Sequence, residues 1–419
     1  MILTARIFTW AFFLLIVDQT LVIMGFKFGF PIKPSIAYAI IAAGLLAVAL
    51  MQKQPLQRLM AAKGFFLPFA AIVLLTLVMY RGENPGPDFD QMILPPVLIP
   101  SSISYALWPA MNLLASAALF ILAARKEIRR TIVLAAFVAL IIQVAAMEAD
   151  MWWPAIFGDA NGRAGGLARN ANVAAFLVIT LASLTLSTRL APYAVVLAMA
   201  SVLLSQSKAG GIAACALALA FLFSRPRGID RKAIAFAASI VLTLAATVMF
   251  SPVLNPTPEQ IAEAARRAAV SDRYQLPVAT LDRPVTLEQR FGKRISVDES
   301  ANLRREAAAF FLGVVKDHPF GLGTGFTNRF TTGPHNTILK LAVDNGVIAA
   351  LPLLALLGWL LWRSYATRSA TLIALTSVAL AEAMFAHTLI VDPIVLPAIG
   401  ATLGLIDFRS SRNLPPVQA

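Results

Sequence analysis

"RKEIRRTIVLAAFVALIIQVAAME" runs from Arg125 to Glu148 and sets the architecture of the whole chain. Four basic residues, Arg125, Lys126, Arg129 and Arg130, stand before an apolar run at 131–148. A run of this length can cross a bilayer as helix, for which about 17–25 residues suffice. Basic residues beside a span mark its cytoplasmic end. The pattern recurs along the chain, with twelve candidate spans at 7–24, 35–51, 64–80, 104–124, 131–148, 171–187, 190–206, 209–223, 232–250, 336–361, 370–389 and 394–408. The expected fold is an all-α polytopic membrane protein with about twelve transmembrane helices.

Composition agrees. The 419 residues are 58% hydrophobic and 14% charged, with a mean hydropathy of +0.75. Soluble domains are about 45–50% apolar and about 25% charged. The first apolar run lacks a small-residue cleavage site and reads as a signal anchor. Cys215 lies inside an apolar run and is the single cysteine, so neither an internal disulfide nor a second thiol for a metal is available. The net charge of +13 raises the question of nucleic acid. Much of the excess sits in short loops, where topology accounts for it, so nucleic acid is not an expected partner.

With the N-terminus cytoplasmic, inside loops carry Lys53, Arg58 and Lys63, then the Arg125 cluster, then Arg189. Arg225, Arg227, Arg231 and Lys232 follow, then Arg363 and Arg368, with Arg409 and Arg412 in the tail. Outside loops are poorer in Lys and Arg, which places both termini inside. Residues 251–335 break the pattern as a long outward polar loop with eleven Lys/Arg and nine Asp/Glu. Long loops translocate whatever their charge. This loop is expected to hold two helices, one at "PEQIAEAARRAA" and one starting at "SVDE". There Ser296 and Glu299 have capping-box spacing, and the helix continues to Asp317 before Pro319 stops it. The organisation is 1–250, nine spans; 251–335, helical loop domain; 336–408, three spans; 409–419, cytoplasmic tail.

Chemistry-bearing residues gather on the outward side. In "FGLGTGFTNRFTTGPHNTILKLAVDNG", Phe320 to Gly346, Pro334 suits the first turn of a helix. His335 then meets the positive end of the macrodipole, which favours the neutral imidazole, able to accept a proton. A bland reading, binding of a loop carbonyl, stands beside it. Gly321, Gly323 and Gly325 are followed by no Gly-Lys-Ser/Thr and preceded by no strand, so they read as a tight turn rather than a nucleotide loop. Upstream, Arg304 shares helical phase with Ala308, Phe311 and Val315, whereas Arg305 shares it with Ala309, Leu312 and Lys316. Arg304 therefore points to the packed face and needs an anion, either a carboxylate such as Glu306 or Asp344 or a phosphate.

Other cations stand at outward turns. "NGRAGGLARNANVAAF" places Arg163 and Arg169 before a span, and "SQSKAGG" places Lys208 in a tight turn, where it either binds an anion or snorkels to headgroups. Lys340 and Asp344, one turn apart, are expected to pair. His318 and His387 read as structural. Asp88 and Asp90 form an Asp-x-Asp in a Pro/Gly-rich loop that reads as solvated rather than as a metal site.

Together these residues resemble the O-antigen ligase/polymerase superfamily of bacterial envelope glycosyltransferases. The superfamily's C-terminal signature reads here as Arg304, "DHPFGLGTG", His335–Asn336, Leu339, Asp344 and Gly346. An earlier element is matched by Arg163, Gly166, Asn170 and Asn172. "LSQSKAGG" stands where relatives usually carry Ser-Arg, so Lys208 lacks the bidentate fork of a guanidinium. The resemblance implies a GT-C-like fold in the bacterial inner membrane. It also implies glycan transfer from undecaprenyl diphosphate on the periplasmic face, without metal or cofactor. On that reading His335 is the catalytic base, and Arg163, Arg169, Lys208, Arg304 and Arg305 bind the diphosphate. Asn172, Gly321, Gly323, Asn336 and Asp344 support them. The short chain with one compact outer domain favours lipid A–core as acceptor, a ligase; another repeat unit would make it a polymerase, and a protein hydroxyl an O-glycosylation enzyme. Membrane lipids surround the site in each case. An anion or lipid-linked substrate transporter is the reading from another class. It would show repeated halves and a midplane polar site, neither of which the sequence displays.

Overall fold

The computed structural model describes residues 1–29, 32–52, 54–82, 102–153, 157, 163–224, 231–250, 299–330, 333–386 and 388–412. Among these residues the protein is all helical, with no strands. The order is α1 (Ile2–Ala11), a π turn (Phe12–Val17), α2 (Thr20–Phe28), α3 (Pro34–Leu50), α4 (Pro55–Ala61), α5 (Lys63–Val78), α6 (Ser102–Leu122) and α7 (Lys126–Trp152). A short 3-10 turn (Gly166–Ala168) leads to α8 (Ala171–Ser183), α9 (Ala191–Ser205), α10 (Lys208–Phe223) and α11 (Arg231–Phe250). Then come α12 (Glu299–Asp317), α13 (Thr337–Asn345), α14 (Val347–Thr367), α15 (Ala370–Phe385) and α16 (Val395–Arg412).

Among the described residues three helices are long and apolar enough to cross a membrane: Tyr105–Leu122 within α6, α7 and α14. A fourth results if α3 and α4, which meet at 104°, form one span. The other expected spans are apolar helices of 10–17 residues. The first helix expected in the 251–335 loop, Ser296, and the Asp88–Asp90 loop lie outside the described residues. The second loop helix is α12, and it ends at Asp317 before Pro319.

Two expected spans are interrupted. The run at 7–24 passes through the π turn and breaks at Asp18–Gln19, where Gln19 has φ 54°. The run at 336–361 divides at Gly346 into α13 and α14. Lys340 and Asp344 therefore sit on a short separate helix and not on a long span. The cause is tertiary: Val347 N–H donates to Pro319 O at 2.9 Å, and the backbone of Phe320–Gly321 lies against Gly346.

Helix starts follow capping rules. Asn170, Ser207, Asn336 and Ser369 each accept a backbone N–H from the first turn of α8, α10, α13 and α15. Small residues bring helices together, as in membrane bundles. Gly400 and Gly404 of α16 press on the backbone of Ser116 and Phe120 in α6, and Gly210 of α10 lies on Ala175 of α8.

Candidate functional site

The glycine-rich turn is built around α13. Leu322 N–H donates to Val343 O at 3.0 Å and Gly323 N–H to Asp344 O at 2.7 Å. The Asp344 carboxylate accepts from Gly325 N–H at 3.3 Å, Thr327 N–H at 2.8 Å and Thr327 Oγ1 at 3.2 Å. The expected pair with Lys340 is present, Nζ to Oδ2 at 3.2 Å. Lys340 also donates to Thr327 Oγ1 at 2.6 Å and Asn328 Oδ1 at 2.9 Å. Asp344 is thus consumed in folding the turn, which supports the site without leaving a free carboxylate in it. Thr324 Oγ1 reaches Thr76 O at 2.6 Å and Asn345 Oδ1 at 2.7 Å, tying the turn to the end of α5.

Gly321 shows why glycine is needed. It has φ +81°, and a Cβ there would collide with the Gly346 amide. Gly321→Ala is expected to cost about 1–3 kcal/mol from backbone strain alone, with steric overlap added. Its apparent melting temperature should fall clearly. Gly313→Ala, in open space on α12, should leave it unchanged or raise it. Equal behaviour of the two would remove the packing role of Gly321.

His335 differs from expectation in one detail. Helix α13 begins at Thr337 with Asn336 as N-cap, its Oδ1 accepting Leu339 N–H at 2.9 Å. Pro334 is therefore outside the helix and not in its first turn. Asn takes the cap because its side chain replaces a missing backbone acceptor. His335 precedes the cap, half-buried, with φ 47° in the left-handed region. Non-glycine residues held there are uncommon and cluster at functional sites. Burial lowers its pKa below the usual 6.5, and the positive charge of Arg304 lowers it further. Both effects favour the neutral imidazole.

Helix α12 brings Arg304 to that histidine. Its packed face is Ala307, Phe311 and Val314, clustered with Leu322, Phe326 and Phe330 of the turn. Of the stripe expected beside Arg304 only Phe311 is fully buried, Ala308 and Val315 being half-buried, so the packed face is turned towards Ala307 and Val314. Arg304 is half-buried at its edge while Arg305 is exposed. Neither Glu306 nor Asp344 pairs with Arg304 among the described residues. The charge of Arg304 acts on the imidazole, and among the described residues the arginine has no carboxylate partner.

The second cationic group surrounds residues 163–172. Arg163 Nε donates to Ser205 O and its NH2 group to Asn172 Oδ1, both at 2.8 Å. Arg169 is half-buried with φ 60°. Two residues of α7 that sequence reading missed hold this loop. Asp150 Oδ2 accepts Gly165 and Gly166 N–H at 3.2 and 2.6 Å. Gln143 donates to Gly165 O and accepts from Leu167 N–H, each at 3.1 Å. Lys208 is exposed at the start of α10, immediately after the Gln206–Ser207 turn.

These groups share one end of the bundle. At that end α7 finishes, α8 begins, α9 finishes and α10 begins around Arg163. Helix α15 packs along both α8 and α10. Its terminal carbonyls hold the start of α13: Thr337 Oγ1 donates to Ala386 O at 3.0 Å and Asn336 Nδ2 to Met384 O at 3.5 Å. His318 is exposed at the end of α12; His387 lies outside the described residues. Among the described residues no three His, Cys, Asp or Glu side chains are grouped to hold a metal.

A family model described as O-antigen ligase matches residues 193–354. The match covers Lys208, α12, the glycine turn and His335, and leaves Arg163, Arg169 and Asn172 outside it. No curated protein matches the chain.

Proposed function

For a chain that belongs through this region to the O-antigen ligase superfamily, we propose a glycosyltransferase that moves O-antigen glycan from undecaprenyl diphosphate to a hydroxyl of lipid A–core. The observation that supports the reading is an imidazole pushed towards its neutral form by burial and by the charge of Arg304, which has no carboxylate partner among the described residues. The acceptor oxygen attacks the anomeric carbon of the donor. Its proton passes to His335, and the bond from that carbon to the diphosphate oxygen breaks. Negative charge then grows on the departing undecaprenyl diphosphate. Arg304, Arg305, Arg163, Arg169 and Lys208 supply positive charge for it, a form of stabilisation that strengthens in the transition state. Asn172 orients Arg163, Asn336 seats the helix behind His335, and Gly321, Gly323 and Asp344 shape the turn. Twelve spans in a GT-C-like arrangement, divided at 250, 335 and 408, remain part of this proposal.

Reconstitution tests it. Purified protein is given an undecaprenyl-diphosphate glycan with lipid A–core, or the donor alone. A product only with lipid A–core establishes the ligase. Chain growth from donor alone would make the protein a polymerase, and no product from either would sink the transferase reading. EDTA should leave transfer intact, and the double change Asp88→Ala, Asp90→Ala should cost less than about threefold. Loss restored by Mg²⁺ or Mn²⁺ would assign the Asp-x-Asp to diphosphate binding instead.

The reading also places both termini in the cytoplasm of the inner membrane and the site at the periplasmic face. A cysteine introduced at position 290 should react with an impermeant reagent from outside, and one at position 228 only after the membrane is opened. The reverse pattern would move the site to the wrong face for a periplasmic reaction.

A further inference from the structure

A cavity of about 300 Å³ lies next to α13. Its walls come from the break between α1 and α2 (Gln19), the start of α3 (Pro34), α6 (Tyr105, Trp108) and the turn between α15 and α16 (Thr388, Asp392). Tyr105 belongs to both structures: the Lys340 ammonium stands 4.9 Å from its ring centroid. The cavity and α13, the helix that follows His335, therefore meet at Tyr105.

The walls are held in place from behind. Asn112 Nδ2 donates to Ile390 O at 2.9 Å and Asp392 O at 3.1 Å, fixing the turn before α16. Tyr38 donates its hydroxyl to Asn112 Oδ1 at 2.7 Å and packs on Trp108 with ring centroids 5.2 Å apart. Such a cavity is pre-formed, as ligand sites usually are.

One lining carboxyl group, that of Asp392, gives it chemistry; Glu382 lies outside the lining and is held by the lining residue Thr388. Thr388 Oγ1 donates to Glu382 Oε1 at 2.8 Å. Glu382 Oε2 and Asp392 Oδ2 are buried with no hydrogen-bond partner among the described residues. No basic side chain pairs with either carboxyl group among those residues. Unpartnered buried oxygens are costly, so a ligand that donates hydrogen bonds is favoured there. An aliphatic lipid tail has no donor to offer, and a phosphate would be repelled. A sugar ring matches the polar edge formed by Gln19, Thr388 and Asp392 and the aromatic faces of Tyr105 and Trp108, with the aliphatic lining closing the rest. Its hydroxyls donate to Asp392 and exchange hydrogen bonds with Gln19 and Thr388, while its C–H face lies on Tyr105 or Trp108. The volume is at the small end of the roughly 300–1,000 Å³ typical of ligand pockets, which suits one ring rather than a whole glycan.

We infer that this cavity is a saccharide subsite, holding one sugar ring of a glycan substrate beside α13, the helix that follows His335. The inference rests on the glycosyltransferase reading for the source of that sugar. Full-length protein in nanodiscs is tested by saturation-transfer NMR with a lipid-free core oligosaccharide and with methyl glucoside, choline serving as the cationic control. The variants are Asp392→Asn, which keeps the shape, and Val391→Phe, which fills the cavity from its lining. Both should lose the saccharide signal at least about fivefold. Both should also raise the KM for one glycan substrate about tenfold with kcat within twofold, the scale of one hydrogen bond to a charged group. Asp392→Asn keeps the test decisive if the filled variant does not fold. Wild-type saccharide binding in the variants, with transfer intact, overturns the subsite and leaves the enzyme reading standing. Saturation of choline in place of saccharide overturns it in favour of a cation site. Saccharide binding lost in the variants, from a protein that transfers nothing, would support the subsite while the transferase reading fails.

Discussion

His335→Ala is expected to lower turnover by about 10²–10⁴-fold, the usual scale for removing a positioned general base. Donor binding should change little, because in the proposed reaction the diphosphate is held by Arg163, Arg304 and Lys208 rather than by the imidazole. His335→Gln keeps a hydrogen-bonding side chain and cannot take the proton, so it should be nearly as poor as alanine. The pH profile follows from the same chemistry. A base works in its neutral form, and burial together with Arg304 lowers the His335 pKa below 6.5. The wild-type rate should therefore stay flat through pH 7 and fall only below about pH 6.5 as the imidazole protonates. Arg304→Gln removes the charge that opposes protonation. The acid limb of its residual activity should move to higher pH. Near-normal turnover in His335→Gln, or an acid limb that ignores Arg304→Gln, would reassign His335 to substrate positioning.

Much of the scaffold was legible because lipid-facing helices are apolar on nearly all sides. The run at 131–148 is found inside α7, and the tight turn between 190–206 and 209–223 is the two-residue connection at Gln206–Ser207. What was not legible is where apolar runs break. The apolar stretch from Ile338 to Leu361 is broken by Asp344–Asn345–Gly346, yet it reads as one span, and the helix stops at Asn345 where a segment some 25 residues upstream lies against Gly346. That contact is long-range and leaves no periodic trace. The break at Asp18–Gln19 has the same character, and it opens the wall of the Tyr105 cavity.

The site divides in a similar way. The phase of α12 could be read only in part: Phe311 is buried as expected, but the packed face is centred on Ala307 and Val314 rather than on Ala308 and Val315. Gln143 and Asp150 could not be read, since each looks like an isolated polar residue in a hydrophobic helix. Their partners, Gly165, Gly166 and Leu167, lie across a loop. A polar side chain inside an apolar span marks function or support by default, and that rule was the one available signal. The N-cap at Asn336 was also visible, as Asn ranks among the best caps, but Pro334 two residues earlier offered a competing start.

Arg304→Ala should reduce transfer by about 10²–10³-fold, the loss seen when one donor to a developing oxyanion is removed. Arg305→Ala should stay within about fivefold. The two residues are adjacent and chemically identical, so only helix phase separates them. Arg304 lies at the edge of the face that packs Ala307, Phe311 and Val314 and acts on His335, while Arg305 is exposed. An exposed guanidinium contributes to a diphosphate site mainly through screened charge, and its deletion should be partly masked by raising salt. Arg304→Lys should recover only part of the loss, because an ammonium holds one oxygen where a guanidinium spans two. If Arg304→Lys were as active as wild type, Arg304 would act as a point charge on His335, and the diphosphate would have to be held bidentately by Arg163 or Arg169. If both alanine changes were tolerated equally, α12 would not present its packed face to the donor, and the diphosphate site would move to the 163–172 loop and Lys208 alone.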